Sequence, residues 1–195
     1  MRWLGGISWE DALHHAPLLV ASAQSTAGFA SMPLSELDST SKLLLVFSML
    51  VGGGAGSTAG GFKVLRLLIA VSVLRLILVR TSVSRHAVAE PRLAGRPLHR
   101  AEIQEALLLI FLFVVVVVAS WVPFVASGYS PLDALFEVVS AVGTVGLSVG
   151  LTSGDLPAHL KVVLCADMLL GRLEIIAWLV LVFPITWFGR RMELA

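Results

Sequence analysis

Gly143-Thr144-Val145-Gly146-Leu147-Ser148 is a short polar stretch set between two apolar segments, Leu132 to Ala141 before it and Leu160 to Phe188 after it. Where both flanks enter a membrane, a non-helical Thr-Val-Gly segment at that depth must be buried in protein or line a watery cavity, because lipid cannot satisfy its carbonyls. A filter that coordinates ions through backbone carbonyls meets that demand. The same pattern occurs earlier as Ser25-Thr26-Ala27-Gly28-Phe29, again after a moderately apolar segment and before a polar turn. Two copies argue against chance, and their small residues suggest that backbone is the working surface.

Composition agrees with a membrane setting. Of 195 residues, 57% are hydrophobic and 14% charged, with a mean hydropathy of +0.90, whereas soluble domains are roughly half apolar and about a quarter charged. The formal net charge of +1 gives no basis for nucleic-acid binding, since the basic residues lie in loops and at segment ends and form no aromatic-interleaved patch. Cys165 is the single cysteine, so neither an internal disulfide nor a cysteine metal cluster can form, and packing is its expected role. No apolar core of signal-peptide length precedes Glu10 and Asp11, so no cleavable targeting segment is expected. His14 and His15 are adjacent and cannot share a helix face, which favours packing over metal binding.

Working outward, Ser8 to Gln24 is too short and too polar at its start to span a bilayer, which needs about 20 apolar residues, and a re-entrant half-helix suits it better. Ser31 to Thr40 reads as a polar turn with helix-capping residues. A continuous helix from Ser41 to Val79 would be on the order of 60 Å long, about twice the hydrocarbon thickness. Gly52-Gly53-Gly54-Ala55-Gly56-Ser57-Thr58-Ala59-Gly60-Gly61 is the obvious break. Three readings of this tract stand side by side, in decreasing order of fit. The first is an intramembrane loop beneath the filter whose glycines allow a change of shape. The second is close helix packing through Gly52, Gly56 and Gly60 at small-xxx-small spacing. The third is a nucleotide site, which fails on context because no strand signal precedes the tract and Lys63 is followed by Val64.

Arg66, Arg75, Arg80, Arg85, Arg92, Arg96 and Arg100 mark the next loop as cytoplasmic, and Glu90-Pro91, Gly95 and Pro97 make it a linker. Ala106 to Pro123, with five consecutive valines and Trp121 near its end, is the clearest full span. Leu132 to Ala141 is again too short to cross, Thr152 to Pro157 is an external turn, and Leu160 to Phe188 returns the chain to Arg190 and Arg191.

These parts recur in order. Ser8 to Leu13 matches Ser130 to Leu135, a filter-like segment follows each, and Met49 to Gly53 matches Met168 to Arg172. The expected division is residues 1–80, a pore repeat without its first span; 81–100, a basic cytoplasmic linker; and 101–195, a complete repeat. Both copies run the same way, as parallel repeats about an axis along the membrane normal do. Arg172 falls opposite Gly53; a midmembrane arginine costs roughly 2.5–3.5 kcal/mol on insertion scales unless paired or hydrated. Asp167 and Glu174 are the nearby carboxylates, so a structural ion pair and a positive barrier at the pore waist are both open.

Ser25-Thr26-Ala27-Gly28-Phe29, Gly56-Ser57-Thr58-Ala59-Gly60-Gly61-Phe62-Lys63-Val64-Leu65-Arg66, Thr144-Val145-Gly146-Leu147-Ser148 and Leu170-Gly171-Arg172-Leu173-Glu174-Ile175 together resemble the membrane subunit of the Trk/Ktr/HKT superfamily of potassium transporters, specifically the bacterial Trk type. The resemblance covers nearly the whole chain. It implies an all-α membrane protein of parallel M1-P-M2, K⁺-channel-like pore repeats with re-entrant half-helices. Four such repeats would surround a K⁺ pore, with Ser25, Thr26, Ala27 and Gly28 in the third wall and Gly143, Thr144, Val145 and Gly146 in the fourth. Gly52, Gly53, Gly54, Gly56, Ser57, Thr58, Gly60 and Gly61 would correspond to the intramembrane gating loop, and Arg172 to the arginine below the filter. It further implies a multi-pass protein of the bacterial inner membrane, dimerisation of the full subunit, and control by a cytosolic nucleotide-binding subunit. No catalytic residue, cofactor or metal beyond transported K⁺ is expected. The first two repeats and the opening span of the third are absent, so the chain reads as a C-terminal portion needing an N-terminal half, or another copy, to close the pore. The rival readings are a non-conducting structural fragment and a nucleotide-binding membrane subunit using Lys63.

Overall fold

Each helix starts and stops where local chemistry directs. The computed structural model describes residues 9–54, 57, 60–82, 92–93 and 95–172. Asp38 caps the helix Ser39–Val51 (α2), its carboxylate accepting from the amides of Thr40 at 3.0 Å and Ser41 at 3.4 Å. Hydrogen bonding from the Ser41 side chain first, and then from these amides, holds the Asp38 carboxyl below its usual range. Before α2 come Trp9–Ser25 (α1), which continues through Pro17, and a single 3₁₀ turn at Leu34–Glu36. After it, Gly52 takes φ 64°, a conformation open to glycine at no steric cost, and the helix ends there. The chain turns back, with Phe62 N donating to Leu50 O at 2.9 Å and Val64 N to Gly53 O at 3.2 Å, and resumes as Val64–Ser82 (α3). The expected break at the glycine tract is therefore present.

The linker is not wholly irregular: Arg92–Leu93 (β1) and Arg96–Pro97 (β2) pair as a small antiparallel hairpin with Arg92 opposite Pro97. Arg100–Ala126 (α4) follows, its first turn closed by Glu102, which accepts from His99 N at 3.2 Å. Pro123 does not end this helix, as the sequence suggests, because the chain keeps helical geometry for three more residues and Ser127 N bonds Pro123 O at 3.0 Å. Among the described residues α4 is the one helix long and apolar enough to cross a membrane by length and composition. Pro131–Val142 (α5) and Ala158–Arg172 (α6) complete the described chain. Leu173 to Ala195, including Glu174, lie outside the described residues, as do Met1 to Ser8 and Gly56 and Thr58 of the glycine tract.

The core is built around α5, which packs against α2, α4 and α6. Phe136, Val138, Val139 and Val142 are fully enclosed, and every residue from Phe136 to Val142 is buried. With 12 residues α5 is on the order of 18 Å long, well short of a bilayer core of ~30 Å. The outside of the molecule is the apolar part: Leu68, Leu74 and Ile77 on α3 and Leu108, Phe111 and Val122 on α4 are exposed. A mostly helical body with such an exterior is a membrane protein. An ion pair joins the two halves of the chain, Lys42 Nζ on α2 to Asp133 Oδ1 at the start of α5, at 2.7 Å, with side-chain exposures of 11% and 27%.

Removing one member of a largely buried pair leaves the other uncompensated. Lys42→Met is expected to destabilise the fold by about 2 kcal/mol, and Lys42→Met/Asp133→Leu to recover more than half of that loss. Thermal unfolding in detergent micelles checks both; equal melting temperatures for the single and double variants would contradict it.

Candidate functional site

Both filter-like segments leave their helices through the same turn. After α1, Ala27 N donates back to Ser22 O at 3.0 Å; after α5, Val145 N donates to Ser140 O at 2.8 Å. Thr26 and Thr144 sit in the left-handed region at φ 55° and 52°, and Gly28 and Gly146 follow at φ 74° and 86°. A left-handed non-glycine residue costs roughly 1–2 kcal/mol, so two threonines held this way at matched positions mark a conformation imposed by surroundings. Ser25 and Gly143 remain helical in character: Ser25 Oγ donates to Ala21 O at 2.6 Å, and Gly143 has φ −72°. The departure from helix thus begins at Thr26 and Thr144, one residue later than the sequence segments as delimited.

The two segments touch. A methyl group placed on Gly28 would lie 2.5 Å from the Val145 carbonyl oxygen and 3.5 Å from the Gly146 Cα. Such a distance forbids any side chain there. Aligned on these turns, α1 is longer than α5 by about one helical turn, at 17 residues against 12. Matching the helix starts, Ser8 to Ser130, therefore misplaces the filters relative to one another.

Beneath this pair lies the glycine tract. Gly60 packs directly on the carbonyl of Gly143 and would bring a Cβ to 2.9 Å from Thr144 Oγ1; Gly52 in turn packs on the Gly60 carbonyl. Gly61 lies against Met49 O and Leu50 O. Gly53 accepts from Val64 N, whereas Gly54 has open space around its Cα and accepts from the exposed Ser57 N at 3.2 Å. On the opposite side Gly171 of α6 packs on the carbonyl of Val142 and against Thr144 Cγ2. Arg172 is exposed at the end of the described α6 and lines an open cavity of about 370 Å³ with Thr144, Gly146 and Glu137. Asp167 turns towards α4 instead, accepting from Ser120 Oγ at 2.6 Å. Among the sites read from sequence, the structure gathers both filter segments, Gly60 and the Gly171-Arg172 end of α6; it leaves Gly54 and Ser57 at the periphery.

Two interactions were not legible beforehand. Glu137, buried in α5, accepts from Ser148, Val149, Leu151 and Thr152, partners that no spacing in the sequence assigns to it. Lys42–Asp133 joins residues too far apart in sequence to pair by inspection. The nucleotide reading of the tract meets a helix, α2, where a phosphate loop needs a strand.

The TrkH family model, described as a cation transport protein, matches residues 4–186. An uncharacterized cation transporter of Methanocaldococcus jannaschii is 35% identical over 162 residues, covering 83% of this chain and 34% of that protein. The Trk system potassium uptake protein TrkH of Vibrio parahaemolyticus is 31% identical over 180 residues, 91% of this chain and 37% of its own length. The crystal structure of the potassium transporter TrkH from Vibrio parahaemolyticus superposes with a TM-score of 0.80 at 32% identity, covering 93% of this chain and 39% of that one. The chain thus spans between a third and two fifths of the length of these relatives.

The glycines at the contact differ in what they tolerate. Gly28→Ala meets both a left-handed φ and the Val145 carbonyl, whereas the Cβ of Gly146→Ala meets nothing nearer than Gly28 Cα at 4.0 Å. Gly146→Ala is expected to cost about 1–2 kcal/mol, and Gly28→Ala clearly more. Melting of both variants in detergent decides; equal losses would contradict the close approach.

Proposed function

The chain belongs to the TrkH family of cation transport proteins, and on that footing we propose that it forms two adjacent walls of a K⁺ pathway lined by the backbone of Ser25 to Gly28 and Gly143 to Gly146. The observation that carries this reading is the pair of matched left-handed turns in contact at Gly28 and Val145. A helix that stops short and releases its chain through a threonine and a glycine frees carbonyls that no longer bond within the helix. Such carbonyls replace the water around a cation of fitting size, and a ring of them distinguishes ions without any charged side chain. No covalent step is involved, in keeping with a family of transporters.

In this reading α4, α5, the Gly143–Gly146 segment and α6 make one complete M1-P-M2 unit within residues 101–195. The elements α1, the Ser25–Gly28 segment, α2 and α3 make the half-helix, filter and broken inner helix of a second unit that lacks its first span, over residues 1–80, with residues 81–100 as the cytoplasmic link. Conduction is controlled below the filter by Gly52, Gly53, Gly54, Gly56, Ser57, Thr58, Gly60 and Gly61 together with Arg172. The packing of Gly60 on Gly143 supports this, because any change in the tract's backbone is felt at the foot of the filter. Two walls leave carbonyls facing no partner, so the remaining walls come from an N-terminal portion of the transporter or from another copy. The assembled subunit sits in the bacterial inner membrane, surrounded by lipid, pairs as a homodimer, and answers to a cytosolic nucleotide-binding subunit.

K⁺ uptake in a transport-deficient bacterial strain tests the proposal with three arms: this chain alone, this chain with an N-terminal portion, and that pair carrying Gly146→Asp. Growth at low K⁺ is expected from the pair, with uptake falling more than about tenfold in Gly146→Asp, where a carboxylate replaces the glycine of a carbonyl-only site. Uptake unaffected by Gly146→Asp, or no rescue although both pieces reach the membrane, would overturn it.

A further inference from the structure

Glu137 lies on α5, is 4% exposed, and bonds to the five-residue chain, Ser148 to Thr152, that leaves the filter. Its Oε1 accepts from Ser148 Oγ at 2.5 Å, Val149 N at 3.0 Å and Leu151 N at 3.3 Å, and its Oε2 from Thr152 Oγ1 at 2.7 Å. Ser148 Oγ also accepts from Gly150 N at 3.0 Å. A buried carboxylate is costly without donors, and four donors left without it would be costly in turn, so the cluster forms as a unit. Its effect is to fix the direction of the chain immediately after Gly146, because Leu147 is the single residue between that glycine and Ser148.

The other filter segment has nothing comparable at the matched position. When the two copies are aligned on Thr26 and Thr144, Leu19 falls opposite Glu137, and Leu19 is buried among apolar side chains. The chain beyond Gly28 is held instead by an exposed bond between His15 Nδ1 and Ser31 Oγ at 2.8 Å. One wall is therefore clamped through a buried carboxylate and the other through a surface contact.

We propose that Glu137 is the positioning residue of the second filter wall: by gathering Ser148, Val149, Leu151 and Thr152 it holds the Thr144–Gly146 backbone in its ion-discriminating geometry without touching the ion. This rests on the filter reading above. Glu137→Leu installs the side chain that the first copy carries at the matched position and removes all four acceptances. Glu137→Gln keeps one carbonyl oxygen for Ser148, Val149 and Leu151 and places an amide that donates to the Thr152 hydroxyl.

The test is the ratio of K⁺ to Na⁺ uptake by the chain co-expressed with an N-terminal portion. Glu137→Leu is expected to lower the ratio about tenfold, the equivalent of roughly 1.4 kcal/mol, while Glu137→Gln restores more than half of the discrimination. A merely structural role would lower the amount of transporter and leave the ratio unchanged, and an unchanged ratio overturns the proposal. If Glu137→Leu does not reach the membrane, Ser148→Ala/Thr152→Val removes two donors from the other side; the same fall supports the proposal and an unaltered ratio overturns it. Gly146→Asp, run in parallel, separates the two ideas, since uptake lost in Gly146→Asp with a ratio indifferent to Glu137 keeps the filter and rejects the clamp. Where the pair does not transport, amide exchange in the membrane-inserted chain decides: Val149 and Leu151, with the Thr144–Gly146 amides, are expected to exchange faster in Glu137→Leu, and unchanged protection of Thr144–Gly146 overturns the proposal.

Discussion

The approach of Gly28 to the Val145 carbonyl is the constraint on which the rest of the architecture depends. Only a residue without a Cβ fits there, and a glycine in the left-handed region stands two positions after each threonine. For two backbones to meet so closely, each must be delivered by a helix that stops at the right depth. The 12 residues of α5, short for a bilayer and buried on nearly all sides, meet that requirement. Their neighbours keep them there: α2 through Lys42–Asp133, α6 through the seat of Gly171 on the end of α5, and α4 by enclosing the opposite face while Ser120 holds Asp167 of α6.

Glycine supplies the same solution at several levels below the filter. Gly60 rests on Gly143, Gly52 rests on Gly60, and Gly171 rests on Val142, so three successive backbone contacts connect the tract, the filter foot and α6. Contacts between backbones leave little room for gradual adjustment. A change in the tract moves the filter foot or opens a gap, and this makes the tract a mechanically reasonable place for control.

Much of this was readable from residues alone, for identifiable reasons. The glycine tract announces a break because a helix of twice the bilayer thickness is untenable, and α2 and α3 separate there. The recurrence of Thr-x-Gly predicts two equivalent turns, and the matched φ values of Thr26 and Thr144 follow. What sequence could not supply was register and tertiary pairing. The shared Asp-Ala-Leu motif invites alignment of the helix starts, whereas the turns align one helical turn differently. Pro123 looks like a terminator, yet a proline one turn from a helix end leaves the final bonds intact. Glu137 and Lys42 were invisible as functional residues because their partners are set by the fold, not by spacing.

The central claim is that the two turns face one ion path, and anomalous diffraction tests it most directly. Crystals of the assembled transporter grown in Rb⁺ or Tl⁺ should show an ion peak coordinated by carbonyl oxygens from both Ser25–Gly28 and Gly143–Gly146. A peak coordinated by neither segment, with ions bound instead at side-chain carboxylates elsewhere, would contradict the account.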